Sequence, residues 1–214
     1  LRTYRHLPST RGRHAPARIQ AWRELGALSE QAFTWMLEDR SGAVVGRELC
    51  VRCANGQHAV GRLPTFGQVC PRHRWWFGVP QTSVARFPAA VRAEVSFRRL
   101  NRGGFITFNG DAMTACYEAA QLAVHPNVIA DRVAETGIGR VEILLYPEQH
   151  ALARAIFAPE ALAAVTDYAR SPQERYTATR ERVTRALQSP PSCNVDGALA
   201  VITPMLSMIT AGRE

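Results

Sequence analysis

The chain has 214 residues, 46% of them hydrophobic, and a formal charge of +8. That apolar share can build a core and excludes a wholly disordered polymer, and the length allows one domain or two small ones. All 26 basic residues are arginine, which excludes a lysine Schiff base, a P-loop lysine and a lysine general base within this chain. No apolar run reaches the roughly 18–20 residues that a membrane-spanning helix needs, so no membrane partner is expected.

The charge is unevenly spread. Residues 1–110 hold 17 arginines against 6 acids, a balance of +11, whereas residues 111–214 hold 9 against 12, a balance of −3. Codon usage in a GC-rich genome explains arginine in place of lysine but not this asymmetry. A basic surface attracts phosphate backbones through long-range Coulomb steering. The odd cysteine count (Cys50, Cys53, Cys70, Cys116 and Cys193) argues against a secreted disulfide framework. Residues 1–20 carry five arginines, no acid and no apolar core of signal-peptide type. A cytoplasmic protein is the expectation.

In chain order, residues 1–16 read as a basic arm. Ile19, Trp22 and Leu25 follow at helical spacing, and Ser29 caps a second expected helix with Ala32, Phe33, Met36 and Leu37 on one face. Residues 43–80 hold the cysteine cluster among glycines and prolines and read as a metal-organised ribbon with short strands. Pro88 opens a helix to Leu100 with Val91, Val95 and Leu100 inward. Gly103-Gly104 stops it, Phe105–Phe108 suits a short strand, and Asn109-Gly110 a turn. Asp111 caps a helix to about Val124.

Further on, residues 141–146 fit helix or strand equally. Pro159 suits a helix first turn with Leu162, Val165 and Tyr168 inward. Ser171-Pro172-Gln173-Glu174 is a capping box, in which serine and glutamate each satisfy a backbone donor of the first turn. The helix after it is polar, with Tyr176, Val183 and Leu187 as a thin stripe. Pro190-Pro191 leads into a last apolar helix with Val195, Leu199, Ile202, Leu206 and Ile209 at steps of four and three, bent by Pro204. The expected fold is mainly α with a small zinc-ribbon or zinc-knuckle element and few short strands. It divides into a basic arm (1–16), a zinc-containing basic domain (17–110) and a helical domain (111–214).

The most specific pattern is Cys50-x2-Cys53, sixteen residues, then Cys70-x2-His73. Two intervening residues let a tight turn aim both ligands at one ion, and two such turns supply a tetrahedron. Zinc accepts thiolate and imidazole without redox change. Gly56, Gly61 and Gly67 ease the turns and Pro71 stiffens the second. Four protein ligands leave no open position, so the expected cofactor is one structural Zn2+. Alternatives are four ordinary buried residues, a redox pair at Cys50 and Cys53, or an iron–sulfur site. His58 is a substitute ligand ranked below His73. Cys116 and Cys193 read as small core residues.

Arg72, Arg74, Trp75, Trp76 and Phe77 surround the second ligand pair. Nucleic-acid binders set arginine on phosphate and aromatic faces on bases, but aromatics beside a small zinc site also pack over it, and core packing is favoured for Trp75 and Trp76. The candidate phosphate-binding residues are Arg52, Arg62, Arg72, Arg74, Arg92, Arg98, Arg99 and Arg102. Only one acid, Glu94, lies between residues 49 and 110.

Leu49-Cys50-Val51-Arg52-Cys53 with Val69-Cys70-Pro71-Arg72-His73 resembles the zinc motif of TniQ-like proteins, partners of Tn7-like transposition systems. The resemblance covers residues 45–78 and carries over at the four ligand positions; Val51 stands where that family often has proline. It implies DNA targeting and contacts with transposition partners rather than catalysis.

The chain is therefore expected to be a non-catalytic, zinc-stabilised protein that binds nucleic acid, with DNA favoured. The alternative is a helical adaptor with a purely structural zinc, docking on a partner or a second copy through Val195, Leu199, Ile202, Leu206 and Ile209. No HExxH, GxSxG, Walker or complete GxGxxG pattern is present; Gly137-x-Gly139 lacks the third glycine. His125 and His150 read as surface or capped histidines, and Asp111, Glu118, Asp131 and Glu135 as solvated carboxylates.

Overall fold

The computed structural model describes residues 44–64, 67–100, 111–187 and 194–211. The basic arm, the two helices expected before residue 43, the features at 103–110, Pro190-Pro191 and Cys193 lie outside the described residues. Among the described residues, five short strands come first: β1 Val44–Glu48, β2 Val60–Pro64, β3 Val69–Cys70, β4 Trp75–Trp76 and β5 Thr82–Ser83. Eight helices follow among the described residues: α1 Pro88–Leu100, α2 Asp111–Ala123, α3 Pro126–Thr136, α4 Val141–Leu144, α5 Tyr146–Phe157, α6 Pro159–Val165, α7 Pro172–Leu187 and α8 Val195–Ala211. The chain is mainly helical, with its strands gathered around the cysteine segment.

Strands β1 and β2 pair with each other, and β3-β4-β5 form an antiparallel sheet in which Cys70 faces Trp75 and Trp76 faces Thr82. Strands of two residues bury too little to persist alone. Beneath them lies a core of Val69, Trp76, Val84, Phe87, Ala90 and Ala93 with Ile138, Ile143, Leu144 and Tyr146. A second core joins α2, α5, α7 and α8 through residues such as Met113, Leu152, Ile156, Val183, Leu187 and Ile202. The described residues from 45 onward belong to one compact unit. Helix α1 packs on α5 and delivers Phe97 to the second core.

Local signals set several helix ends. Ser171 and Glu174 form the expected capping box: the Ser171 N–H donates to Glu174 Oε2 at 2.8 Å and the Glu174 N–H to Ser171 Oγ at 3.3 Å. His125 caps α3 by accepting the Asn127 N–H at 3.2 Å. Gly137 ends that helix at φ +71°, so the isolated glycine pair belongs to a helix terminus rather than a nucleotide loop. Residues 141–146 resolve as helix, split between α4 and the start of α5.

Other faces differ from their expected orientation. Helix α1 buries Ala90, Ala93, Glu94 and Phe97 most deeply, while of the expected inward residues Val91 and Leu100 pack half-buried against the two cores and Val95 is half-buried. Hydropathy puts a glutamate outside, but here its partners come from distant parts of the chain. Helix α6 ends at Val165 and buries Ala161, while Tyr168 lies beyond it and is 57% exposed. In α7, Val183 and Leu187 are buried as expected, whereas Tyr176 is exposed and Thr179 takes its place. Helix α8 continues through Pro204 and seats Leu199, Ile202 and Leu206 against α2 and α7. Leu199, Ile202 and Leu206 are thus buried within the chain; the side chain of Ile209 lies outside the described atoms.

His150 is buried rather than capped or exposed. Its ring lies 4.4 Å from that of Phe97 and 4.0 Å, edge to face, from that of Tyr146. Burial pushes its pKa down from 6.5 to about 3. The unfolded chain therefore takes up this proton more readily. The contribution of neutral His150 is complete above about pH 6.5 and drains away as pH falls towards 3. His150→Phe keeps a ring in place and removes this proton. Its unfolding free energy should fall less between pH 7 and pH 4.5 than that of the parent chain, by an amount on the order of 2 kcal/mol, in urea titrations at each pH. Parallel pH profiles for the two proteins would refute the burial argument.

Candidate metal centre

Each half of the site is one tight turn. In the first, the Ala54 N–H donates to the Cys50 carbonyl at 3.0 Å, and Asn55 and Gly56 take positive φ angles of 54° and 84°. In the second, the Arg74 N–H donates to the Cys70 carbonyl at 2.7 Å, with Arg74 at φ 57°. The same closure thus points Cys50 and Cys53 one way, and Cys70 and His73 towards them.

The ligand atoms of Cys50, Cys53, Cys70 and His73 all lie within 4.8 Å of one another. Cys53 Sγ is 3.8 Å from Cys70 Sγ. His73 Nδ1 is 3.6 Å from Cys50 Sγ, 3.2 Å from Cys53 Sγ and 3.8 Å from Cys70 Sγ. A tetrahedron with metal–sulfur bonds of about 2.3 Å and metal–nitrogen bonds of about 2.0–2.1 Å requires about 3.8 Å between sulfurs and about 3.6 Å from sulfur to nitrogen. The four side chains fit the shell of a single ion and can hold one. A multi-iron cluster spreads its thiolates over several metal atoms and does not bring every ligand so close. Partial burial and the adjacent Cys70 and Cys50 sulfurs push the Cys53 thiol up to about 11. A bound cation would favour the Cys53 thiolate by supplying positive charge. His58 lies exposed outside the set, and Cys116 is buried in the helical core, where burial raises its thiol to about 12.

Two side chains that motif reasoning does not single out as supports hold these turns in place. Gln81, just before β5, accepts the Val51 N–H at 2.9 Å and donates to the Leu49 carbonyl at 2.6 Å, gripping the first turn. Glu94, on α1, grips the second. It is 0% exposed, and its Oε2 accepts from the N–H groups of Gln68 and Val69 at 2.8 and 3.0 Å and from the Tyr146 hydroxyl at 2.5 Å. Its Oε1 takes Arg98 Nε at 2.5 Å. Burial and the Glu94 charge together hold the Tyr146 phenol well above its usual range. Gly67 adjoins the carboxylate at φ +85°, and a Cβ there would collide with Glu94 Oε1. The isolated acid between residues 49 and 110 was the one sequence signal for this clamp; Gln81 gave none.

Trp76 is 3% exposed and meets Tyr146 edge to face at 4.9 Å, as core packing predicts. Trp75 is half-buried, with the Arg52 guanidinium 5.2 Å over its ring. Arg52 lies between the first two ligands, Arg72 between the second two, and Arg74 directly after His73; all three are exposed. Arg92 and Arg99 are exposed on α1, and Arg98 is engaged by Glu94. Among the described residues, no ion pair involves Arg52, Arg72, Arg74, Arg92 or Arg99. The side chain of Arg62 and all of Arg102 lie outside the described residues. Asp111, Glu118, Asp131 and Glu135 are exposed on α2 and α3. None of the described helices is long and apolar enough to cross a membrane. Comparison with protein-family models, with curated proteins and with solved structures gives no match.

Proposed function

We propose that the chain is a non-catalytic nucleic-acid-binding protein, with DNA as its ligand, whose basic surface is built on a structural zinc site. Cys50, Cys53, Cys70 and His73 would hold the ion. Zinc suits a Cys3His tetrahedron, and four protein ligands leave no position for a substrate. The observation that carries the binding reading is the position of Glu94. It is the sole acid between residues 49 and 110, and it is buried. No carboxylate of that stretch therefore reaches solvent to offset Arg52, Arg72 and Arg74 on the ligand turns or Arg92 and Arg99 on α1. Guanidiniums held on a rigid turn lose less freedom on meeting phosphate than those on a loose loop.

The resemblance to TniQ-like proteins at the four ligands supports DNA targeting beside transposition partners, the role which that resemblance implies. The adaptor reading has less support, since α8 spends Leu199, Ile202 and Leu206 within the chain.

Fluorescence anisotropy with duplex DNA across a salt series tests the proposal. Binding should weaken steeply with salt, and changing Arg52, Arg72 and Arg74 together to glutamine should reduce the slope of log K against log salt by about 0.9 for each phosphate that is no longer neutralised. Affinity that ignores salt, or a triple variant that binds like the parent, would refute it.

A further inference from the structure

Helices α6, α7 and α8 border a solvent-open pocket of about 240 Å3 that none of the preceding chemistry uses. Its walls are Val165 from α6, Pro172, Arg175, Tyr176 and Thr179 along one face of α7, and Thr203 and Leu206 from α8. Among the described residues, the lining is mostly apolar and Arg175 is its one charged residue. The Arg175 guanidinium stands 5.2 Å from the centre of the Tyr168 ring. Its Nη1 is buried and has no hydrogen-bond partner among the described residues. Among the described residues no carboxylate forms an ion pair with it.

A guanidinium nitrogen shielded from water without an acceptor is costly, and a charged one more so. Nearby arginines avoid that cost: Arg170 pairs with Asp167 and Arg180 with Asp196. Arg175 instead borders an open volume. Such a site, with apolar walls, one cation and two exposed tyrosines beside it (Tyr168 at 57% and Tyr176 at 37%), has the composition of a ligand pocket rather than a packing flaw.

We propose that this cavity binds a small monocarboxylate with a compact apolar body, of the arylalkanoate class. The carboxylate supplies the acceptor that Arg175 lacks, reached by a pivot of the guanidinium on its flexible stem. The apolar body lies against Val165, Pro172, Leu206 and the Tyr176 ring. Size sets the class. About 150 Å3 is room enough for benzene, so this larger pocket, open on one side to solvent, has room for an aryl ring with a short acid arm. The site uses none of the elements that carry the metal ligands, and it stands or falls independently of nucleic-acid binding.

The test is an NMR titration of the full zinc-loaded chain with 3-phenylpropionate, 3-phenylpropan-1-ol and acetate. Saturable shifts at Arg175, Tyr176, Thr179 and Thr203 are expected with 3-phenylpropionate, and binding at least tenfold weaker with the alcohol and with acetate. Arg175→Gln should weaken the acid at least tenfold and leave the alcohol unchanged. Thr203→Trp, which fills the cavity from α8, should abolish both. Equal binding of acid and alcohol by the parent chain would overturn the proposal, as would shifts that never saturate or arise elsewhere. The comparison of ligands on the parent chain decides the matter even if a variant misfolds.

Discussion

Cys70→Ala is expected to lose its metal and to unfold β3–β5 ahead of the helices. Metal analysis of the parent chain should return about one zinc per chain, and the variant close to none. The size of the effect follows from how little else holds this region. Its strands are two residues long, and its ligand turns rest on a few backbone hydrogen bonds and the Gln81 and Glu94 side chains. Structural zinc contributes on the order of 10 kcal/mol to small folds of this kind. Without the ion, three sulfurs and an imidazole stay crowded within 4.8 Å with nothing to balance them. Hydrogen exchange should show residues 49–84 losing protection first, while the core of α2, α5, α7 and α8 keeps its own. A strong chelator should reproduce this in the parent chain. Unchanged metal content in Cys70→Ala would overturn the ligand assignment. Unchanged protection after metal removal would show that the ion does not support the strands.

Glu94→Leu should be the most damaging single change away from the metal ligands. The substitution is apolar and of similar size, so it leaves little cavity. It strands two backbone N–H groups, the Tyr146 hydroxyl and the Arg98 guanidinium, all of which now share one carboxylate. Removing one partner from a buried charged network costs about 3–5 kcal/mol. For a chain of this length that corresponds to a fall in Tm on the order of 10 °C. The loss should be local as well as global, since Gln68 and Val69 lead directly into Cys70. Zinc affinity should therefore weaken 10–100-fold, as it does when a group that orients a metal ligand is lost. Competition with a chromophoric chelator measures the affinity, and thermal unfolding measures the stability. A variant that melts with the parent would mean that Glu94 is not the clamp its geometry describes. One that melts early but holds zinc equally well would separate the fold from the site.

How much of this was legible in the sequence depended on how local each signal was. The ligand quartet was, because two residues between ligands is a property of one turn. The capping box at Ser171 and Glu174 was, because it spans a single turn of helix. The most deeply buried part of α1 was not. Val91 and Val95 look like core residues by hydropathy, whereas Glu94 is buried because its partners arrive from 25, 26 and 52 residues away. His150 was likewise misplaced as a surface or capped group. Nothing around it in the chain announces that Phe97 and Tyr146 will enclose its ring.

The sequence by itself determined the kinds of chemistry available: thiolates and an imidazole at ion-binding spacing, arginine as the only cationic side chain besides histidine, and helices with identifiable ends. These follow from residue identity and from geometry within a few residues. Tertiary structure alone decided which charges remain on the surface. Burying Glu94 takes the one acid of residues 49–110 out of solvent and spends Arg98 on it, while the arginines on the ligand turns stay exposed. It also left Arg175 beside an open cavity and used the apolar face of α8 within the chain. The physical reason is the same throughout. Helical period marks which residues share a face, but the energy of burying a group depends on what the rest of the chain places opposite it.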